Sequence, residues 1–175
     1  MLKSGKDHLE GLRDGRVVYI GGERVADVTK HPAFAEAAQV VAGMFDAKRA
    51  PENRDLFSYE ENGERYAMWY LRARSQDDLR RRTRCHKAIA DLTYGMMGRS
   101  PDHVSGFVTG MSTNPAAFDT EKYKFGANLL KYYEYCKAHD IFSTYAVLPP
   151  QAARNRRAAC ALDRRRHIFD GFQSC

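Results

Sequence analysis

The chain has 175 residues, 43% hydrophobic and 29% charged, a composition that suits a soluble globular domain with one proper core. No apolar run approaches the ~18 residues of a membrane-spanning helix, and Met1 to His8 lack the apolar stretch of a secretory signal, so a cytoplasmic protein without a membrane partner is expected. The net charge of +6 is unevenly spread: residues 1–151 carry 22 Lys/Arg against 20 Asp/Glu and residues 152–175 carry 6 against 2, which argues against a nucleic-acid surface on the body of the chain.

In chain order, Ser4 is placed to cap a short helix carrying Leu9 and Leu12 and ended by Gly15. Val17 to Ile20, Gly21-Gly22 and Glu23 to Val25 read as a small hairpin. His31 marks the entry to a helix that follows Pro32, with Phe34, Ala37, Val40, Val41, Met44 and Phe45 at helical spacing and an end near Lys48. Pro51 opens a polar connection. Phe57 to Tyr59 and Arg65 to Ala67 flank Asn62-Gly63, the signal of a second tight hairpin.

Ser75 with Asp78 forms a capping box that starts a long helix reaching about Tyr94, with Leu79, Cys85, Ile89, Leu92 and Met96 as its apolar positions. Arg80, Arg81, Arg82, Arg84 and His86 fall on that helix and are read as a solvated face. The next helix begins at Pro101 and carries Val104, Phe107, Val108 and Met111, until Asn114-Pro115 breaks the pattern. Thr120 is placed to cap a further helix with Tyr123, Leu129, Leu130, Tyr133 and Cys136 on its apolar side, and Ile141 to Leu148 read as a strand ended by Pro149-Pro150. The aromatic cluster Tyr123, Phe125, Tyr132, Tyr133 and Tyr135 is assigned to core packing or a subunit interface. The fold class is mainly α with small β hairpins.

Cys85, Cys136, Cys160 and Cys175 show neither C-x-x-C spacing nor a matching pair of histidines, so no metal site is expected. Cys85 and Cys136 read as small apolar residues on helix faces. Two regions follow from the composition: residues 1–150, a helical domain, and residues 151–175, a basic Arg-, Ala- and Cys-rich tail without amphipathic sense. Such a tail reads as disordered, or as the out-of-frame translation of GC-rich DNA; its rival is a basic arm for anionic partners.

The segment Tyr94-Gly95-Met96-Met97-Gly98-Arg99-Ser100-Pro101-Asp102-His103 carries the functional signal. It reads as one helix ending, a glycine-relieved turn and a second helix starting, with Ser100 as N-cap and Pro101 in the first turn. Arg99 then lies just outside a helix N-terminus, where a permanent cation and unpaired N–H groups favour an anion. This block resembles the signature of the flavin-dependent phenol hydroxylases typified by 4-hydroxyphenylacetate 3-hydroxylase, oxygenase component, a family that also includes pyoverdine-chromophore hydroxylases and 4-hydroxybutyryl-CoA dehydratases. Asp14 to Phe34 resembles the family's opening stretch, and Tyr145-Ala-Val-Leu-Pro-Pro-Gln151 its passage towards a β-rich flavin-binding domain. The resemblance fades around Arg154 to Arg157.

What the resemblance implies is an acyl-CoA dehydrogenase-like fold, of which this chain is the N-terminal helical domain. It also implies a homotetrameric monooxygenase that uses reduced FAD from a separate flavin reductase to hydroxylate a phenol. No dinucleotide-binding glycine loop is present, and the flavin contacts are expected beyond Gln151, so the chain alone is expected to be inactive. Hydroxylation needs the phenol held as its electron-rich phenolate. Arginine suits that task because it stays charged and offers a fixed fork of donors. The resemblance thus implies Arg99 as the phenolate-binding residue, with His103 and Tyr145 as further catalytic groups that donate to the phenolic oxygen. His103 is also suited to general-base work. Ser100, Pro101 and Asp102 serve the helix start, and Asp102 is placed to steady Arg99. The better-known 4-hydroxyphenylacetate enzymes are expected to carry Tyr and His where this chain carries His103 and Tyr145, which points to a different phenol. The alternatives are a 4-hydroxybutyryl-CoA dehydratase-like fragment, which needs cysteine ligands for an iron–sulfur cluster, and a non-enzymatic basic helical binding module.

Overall fold

Two serine-headed capping boxes and two glycine turns set the local framework of the computed structural model, which describes residues 2–95 and 101–144. Ser4 accepts the Asp7 N–H at 3.1 Å while the Asp7 carboxylate accepts the Ser4 N–H at 2.8 Å, and helix α1, Gly5–Gly11, starts there. A three-residue hairpin follows, β1 Val18–Ile20 paired with β2 Glu23–Val25, with Gly21 at φ +58° in the turn. Helix α2 spans Ala35–Arg49, entered through a turn in which the His31 carbonyl accepts the Phe34 and Ala35 N–H groups.

A 3-10 turn at Pro51–Asn53 leads into the single-turn helix α3, Arg54–Phe57. The second hairpin pairs β3, Ser58–Glu61, with β4, Glu64–Ala67. Its turn holds Asn62 at φ +54° and Gly63 at φ +79°, the two left-handed residues of a type I′ turn, which is why an Asn-Gly pair stands there. Helix α4, Gln76–Leu92, opens on the Ser75–Asp78 capping box. Helix α5 is Asp102–Met111; Asn114 and a 3-10 turn at Pro115–Phe118 separate it from α6, Phe125–Ala138. The described residues are therefore mainly helical with two small antiparallel hairpins, as expected.

The core is centred on the 3-10 turn Met68–Tyr70, in which Met68, Trp69 and Tyr70 are each fully buried. Around it pack Val41, Met44 and Phe45 of α2, Cys85 and Ile89 of α4, Val108 of α5, and Tyr133 and Cys136 of α6. Cys85 and Cys136 are both buried, consistent with their reading as small apolar residues. Gly126 lets α6 approach the preceding turn, since a Cβ there would meet the Pro115 carbonyl oxygen at 2.5 Å.

Several expectations fail, most of them over which face of an element is covered. Ala37, Val40, Leu79, Leu92 and Phe107 are exposed, Leu79 and Phe107 by 57% each. The side of α5 that packs inward is Ser105, Val108, Thr109 and Ser112, because only small groups let the helix lie close to Met68–Tyr70. Of the aromatic cluster, Tyr133 alone enters the core, while Tyr123, Phe125, Tyr132 and Tyr135 are exposed, which leaves for those four the subunit-interface half of the expectation. Thr120 does not cap α6. Its hydroxyl accepts the Tyr123 N–H at 2.9 Å to close a local turn, and the Asp119 carboxylate reaches the helix start instead, accepting the Gly126 N–H at 2.9 Å. Residues 141–144 form no strand, and the rest of that predicted strand lies outside the described residues. On α4, Arg80 and Arg84 are exposed, whereas Arg81, Arg82 and His86 are half-buried.

One consequence of the packing is a pH dependence. The His8 ring stacks on Phe45 at 5.0 Å, and burial, with Lys3 and Lys48 nearby, pulls its pKa below 6.5. The folded chain therefore binds fewer protons at His8 than the unfolded chain does, so stability falls as the pH drops through and below 6.5. Urea denaturation across this range is expected to show that slope in the native chain and a flatter one in His8→Gln; equal slopes would refute the assignment.

Candidate active site at the start of helix α5

The first turn of α5 carries the one sequence-predicted site residue that is described, His103. Pro101 adopts the right-handed helical conformation just before the helix, is fully buried, and accepts the Ser105 N–H at 3.2 Å. The expected helix start is thus present, within a residue of the predicted one. His103 is half-buried and meets Phe107, one turn on, edge to face at 4.7 Å. That contact fixes the imidazole beside an exposed aromatic surface. Arg99, Ser100 and Tyr145 lie outside the described residues, as does the side chain of Asp102.

The underside of α5 is anchored by hydroxyl groups. Thr109 Oγ1 donates to the Trp69 carbonyl at 3.3 Å, and Ser112 Oγ donates to the Thr109 carbonyl at 2.6 Å. Ser112 in turn accepts from Arg72 Nε at 3.0 Å, and the Arg72 guanidinium lies 4.1 Å over the Tyr133 ring and 3.6 Å from Glu134. Each polar contact is made where a bulky side chain would push the helix away.

Tyr70 is the centre of this arrangement. Its carbonyl accepts the Tyr133 hydroxyl at 2.7 Å and the Tyr59 hydroxyl at 3.1 Å, and its own hydroxyl donates to the Ile141 carbonyl at 2.7 Å. The Ser105 and Ser143 hydroxyls are buried, and neither finds a hydrogen-bond partner among the described residues. Burial pushes the Tyr70 phenol far above its ordinary range, so it is a neutral donor at any working pH. Sequence reasoning passed over Tyr70, which stands in an aromatic run that reads as core.

Around the first turn of α5 the described residues place His103 beside the Phe107 edge, while the α5 hydroxyls of Ser105, Thr109 and Ser112 face the core. A cavity of about 580 Å³ opens elsewhere, between Lys48, Arg49, Arg54 and Arg65, and takes no residue from α5.

Comparison with known proteins gives these features a context. A family model described as the 4-hydroxyphenylacetate 3-hydroxylase N terminal matches residues 4–168, running past Gln151 into the Arg-rich tail. The oxygenase component of 4-hydroxyphenylacetate 3-monooxygenase from Thermus thermophilus is 33% identical over 157 residues, 89% of this chain and 32% of that protein. The oxygenase component of 4-nitrophenol 2-monooxygenase from a Rhodococcus species is 33% identical over 95% of this chain and 32% of its own length. A crystal structure of the oxygenase component (HpaB) of 4-hydroxyphenylacetate 3-monooxygenase, complexed with FAD and 4-hydroxyphenylacetate, superposes with a TM-score of 0.80 at 33% identity, covering 89% of this chain and 32% of that one. The chain spans about a third of the length of the relatives it matches. With its family model matched along nearly all of its length, the chain belongs to the 4-hydroxyphenylacetate 3-hydroxylase family, in the N-terminal region of those proteins.

Proposed function

We propose that this chain is the phenol-binding, N-terminal portion of a two-component, FADH2-dependent aromatic monooxygenase. The observation that carries the reading is the family match through residues 4–168, which takes in Arg99, His103 and Tyr145. The relatives named for 4-hydroxyphenylacetate and for 4-nitrophenol support a phenol with a para substituent as the substrate class. The pairing of His103 with Tyr145 favours a phenol other than 4-hydroxyphenylacetate itself.

Arg99 stands three residues before α5 in the sequence, and on this reading its charge and the positive end of the helix serve the same phenolic oxygen. Together they favour the phenolate over the phenol, and a site poor in water strengthens both. His103, steadied by Phe107, donates to the phenolic oxygen or takes its proton, and Tyr145 supplies a second donor. Reduced flavin, once bound and exposed to O2, supplies the electrophilic oxygen. Its contacts belong to the length that the relatives have and this chain does not span. Separate supply by a reductase, a homotetrameric whole and a cytoplasmic location complete the reading. The exposed faces of Val40, Leu79, Leu92 and Phe107 accord with a domain built to pack against more protein. The basic tail, residues 151–175, is on this reading not part of the site.

The test uses 4-nitrophenol, whose ionised form has its own visible absorption band. Titrating it with the purified chain at a pH equal to its pKa is expected to raise the ionised fraction. Arg99→Gln is expected to weaken binding about 10–100-fold and to abolish that rise, the scale of a lost charge-assisted contact. Supplied with a flavin reductase and NADH, the chain is expected to give no catechol. An ionised fraction unmoved by the native chain would overturn the phenolate site, and turnover would overturn its dependence on the missing length.

A further inference from the structure

Away from α5, the end of α2, the short helix α3 and the second hairpin enclose a cavity of about 580 Å³. Lys48, Arg49, Arg54 and Arg65 bring four cationic side chains to its wall, against one carboxylate, that of Glu64. Leu2 and Pro51 supply an apolar part.

The four cations are not equally engaged. Lys48 is buried and paired with Asp140, so it adds field and no contact. Arg49 faces Asp7 across 4.0 Å, the limit of an ion pair, with both side chains about half exposed. The negative end of α2 also falls here, and Lys48 and Arg49, in its last turn, offset it. Arg65 donates to Ser58 Oγ at 3.0 Å and meets Asp55 at 3.2 Å, a carboxylate 91% exposed. Its Nε is buried and finds no acceptor among the described residues. Arg54 is exposed and makes no side-chain hydrogen bond or ion pair among them. Pairs as exposed as these hold weakly, so a doubly charged anion can draw the guanidinium groups to itself at small cost.

The backbone keeps the arginines together. Asn53 Nδ2 donates to the Ala47 carbonyl at 3.0 Å, which ties the turn before α3 to α2. The Arg54 carbonyl accepts Ser58 Oγ at 2.6 Å and Arg65 Nη1 at 3.4 Å, which ties α3 to both strands of the hairpin.

We propose that this cavity binds a small organic phosphate, its phosphate held by Arg49, Arg54 and Arg65 and its apolar body against Leu2 and Pro51. Guanidinium forks match phosphate oxygens, and a phosphate monoester carries nearly two charges at neutral pH where a monocarboxylate carries one. A volume of about 580 Å³ exceeds what a bare phosphate ion fills and falls within the range of small-ligand sites. No residue of α5 lines the cavity, so the site is separate from the phenol site, and its failure leaves that reading untouched.

The experiment is calorimetric titration of the full chain at low ionic strength with phenyl phosphate, inorganic phosphate and benzoate. Phenyl phosphate is expected to saturate a single site, about threefold or more tighter than inorganic phosphate and about tenfold or more tighter than benzoate. Arg54→Gln is expected to weaken it about tenfold, the scale of one charge-assisted contact, and Arg49→Gln about threefold. Glu64→Gln removes the opposing charge and is expected to tighten binding about two- to fivefold. Arg84→Gln, at an exposed arginine of α4 outside the cavity, is expected to change nothing. Saturating 4-nitrophenol is expected not to displace the ligand. Absence of saturable binding, an equal loss in Arg84→Gln, or displacement by 4-nitrophenol overturns the site. Inorganic phosphate or benzoate binding as tightly as phenyl phosphate overturns the assignment to an organic phosphate.

Discussion

Replacing Lys48 by methionine is expected to lower the free energy of unfolding by about 3–5 kcal/mol, the scale of a buried ion pair that has lost one partner. The Lys48 side chain is fully buried in α2 and pairs with Asp140, itself 1% exposed at the far end of α6. Its ammonium lies 4.0 Å over the Phe45 ring and 4.8 Å over that of Trp69. Burial outweighs the pull of Asp140 and holds the Lys48 pKa down, to about 8. The pair therefore stabilises little by itself, and the cost arises when it is broken. Without Lys48, the Asp140 carboxylate keeps the Lys3 N–H at 2.8 Å as its remaining partner. The same reasoning predicts a rescue. Asp140 sits at φ +47°, a left-handed position that asparagine tolerates and leucine does not, so Asp140→Asn is the compatible way to discharge the site. The double variant Lys48→Met with Asp140→Asn is expected to recover more than half of the loss in urea denaturation. A single-variant loss below about 1 kcal/mol would show that water reaches the carboxylate and that the pair is dispensable.

Phe45→Ala is expected to cost a similar ~3–5 kcal/mol through the lost apolar contacts and the cavity left behind. Phe45 is fully buried; His8 of α1 stacks on it at 5.0 Å, Phe142 approaches at 6.5 Å, and Lys48 caps the ring. The residue thus holds together α1, α2 and the segment that leads to Ser143. Because Phe45 and Lys48 touch, their losses are expected to fall short of or exceed additivity by at least ~0.5 kcal/mol in a double-mutant cycle. Amide exchange at Phe142 and Ser143 is expected to quicken in Phe45→Ala more than exchange within α4, since the loosened contacts lie on the α1 side. Uniform quickening throughout would indicate a global loss without this local route. Set against a typical total of ~5–15 kcal/mol, either single change leaves the chain near its stability limit.

What was legible in the sequence were signals whose partners lie within a few residues. The capping boxes at Ser4–Asp7 and Ser75–Asp78 and the Asn62-Gly63 turn all formed where expected, because a side chain and the backbone of its own segment satisfy one another. Thr120 misled for a related reason. A cap signal shows that a hydroxyl is available, yet Thr120 spends its hydroxyl on Tyr123, and Asp119 reaches α6. Periodicity located α2, α4, α5 and α6 but not their buried sides. Leu79 and Leu92 fit the apolar spacing of α4 and are exposed, whereas fully buried Lys48 looked like a helix end.

The sequence by itself determined the family and the mainly helical class with two hairpins, and it offered Arg99, His103 and Tyr145 as candidates. These rest on short motifs and local backbone preference, which the chain carries with it wherever it folds. Only the tertiary structure decided that Lys48 meets Asp140 across 92 positions and that α5 lies on its small hydroxyl face with Phe107 outward. Those pairings depend on which surfaces exclude water together, and burial is a property of the packed whole, with no local spacing to announce it.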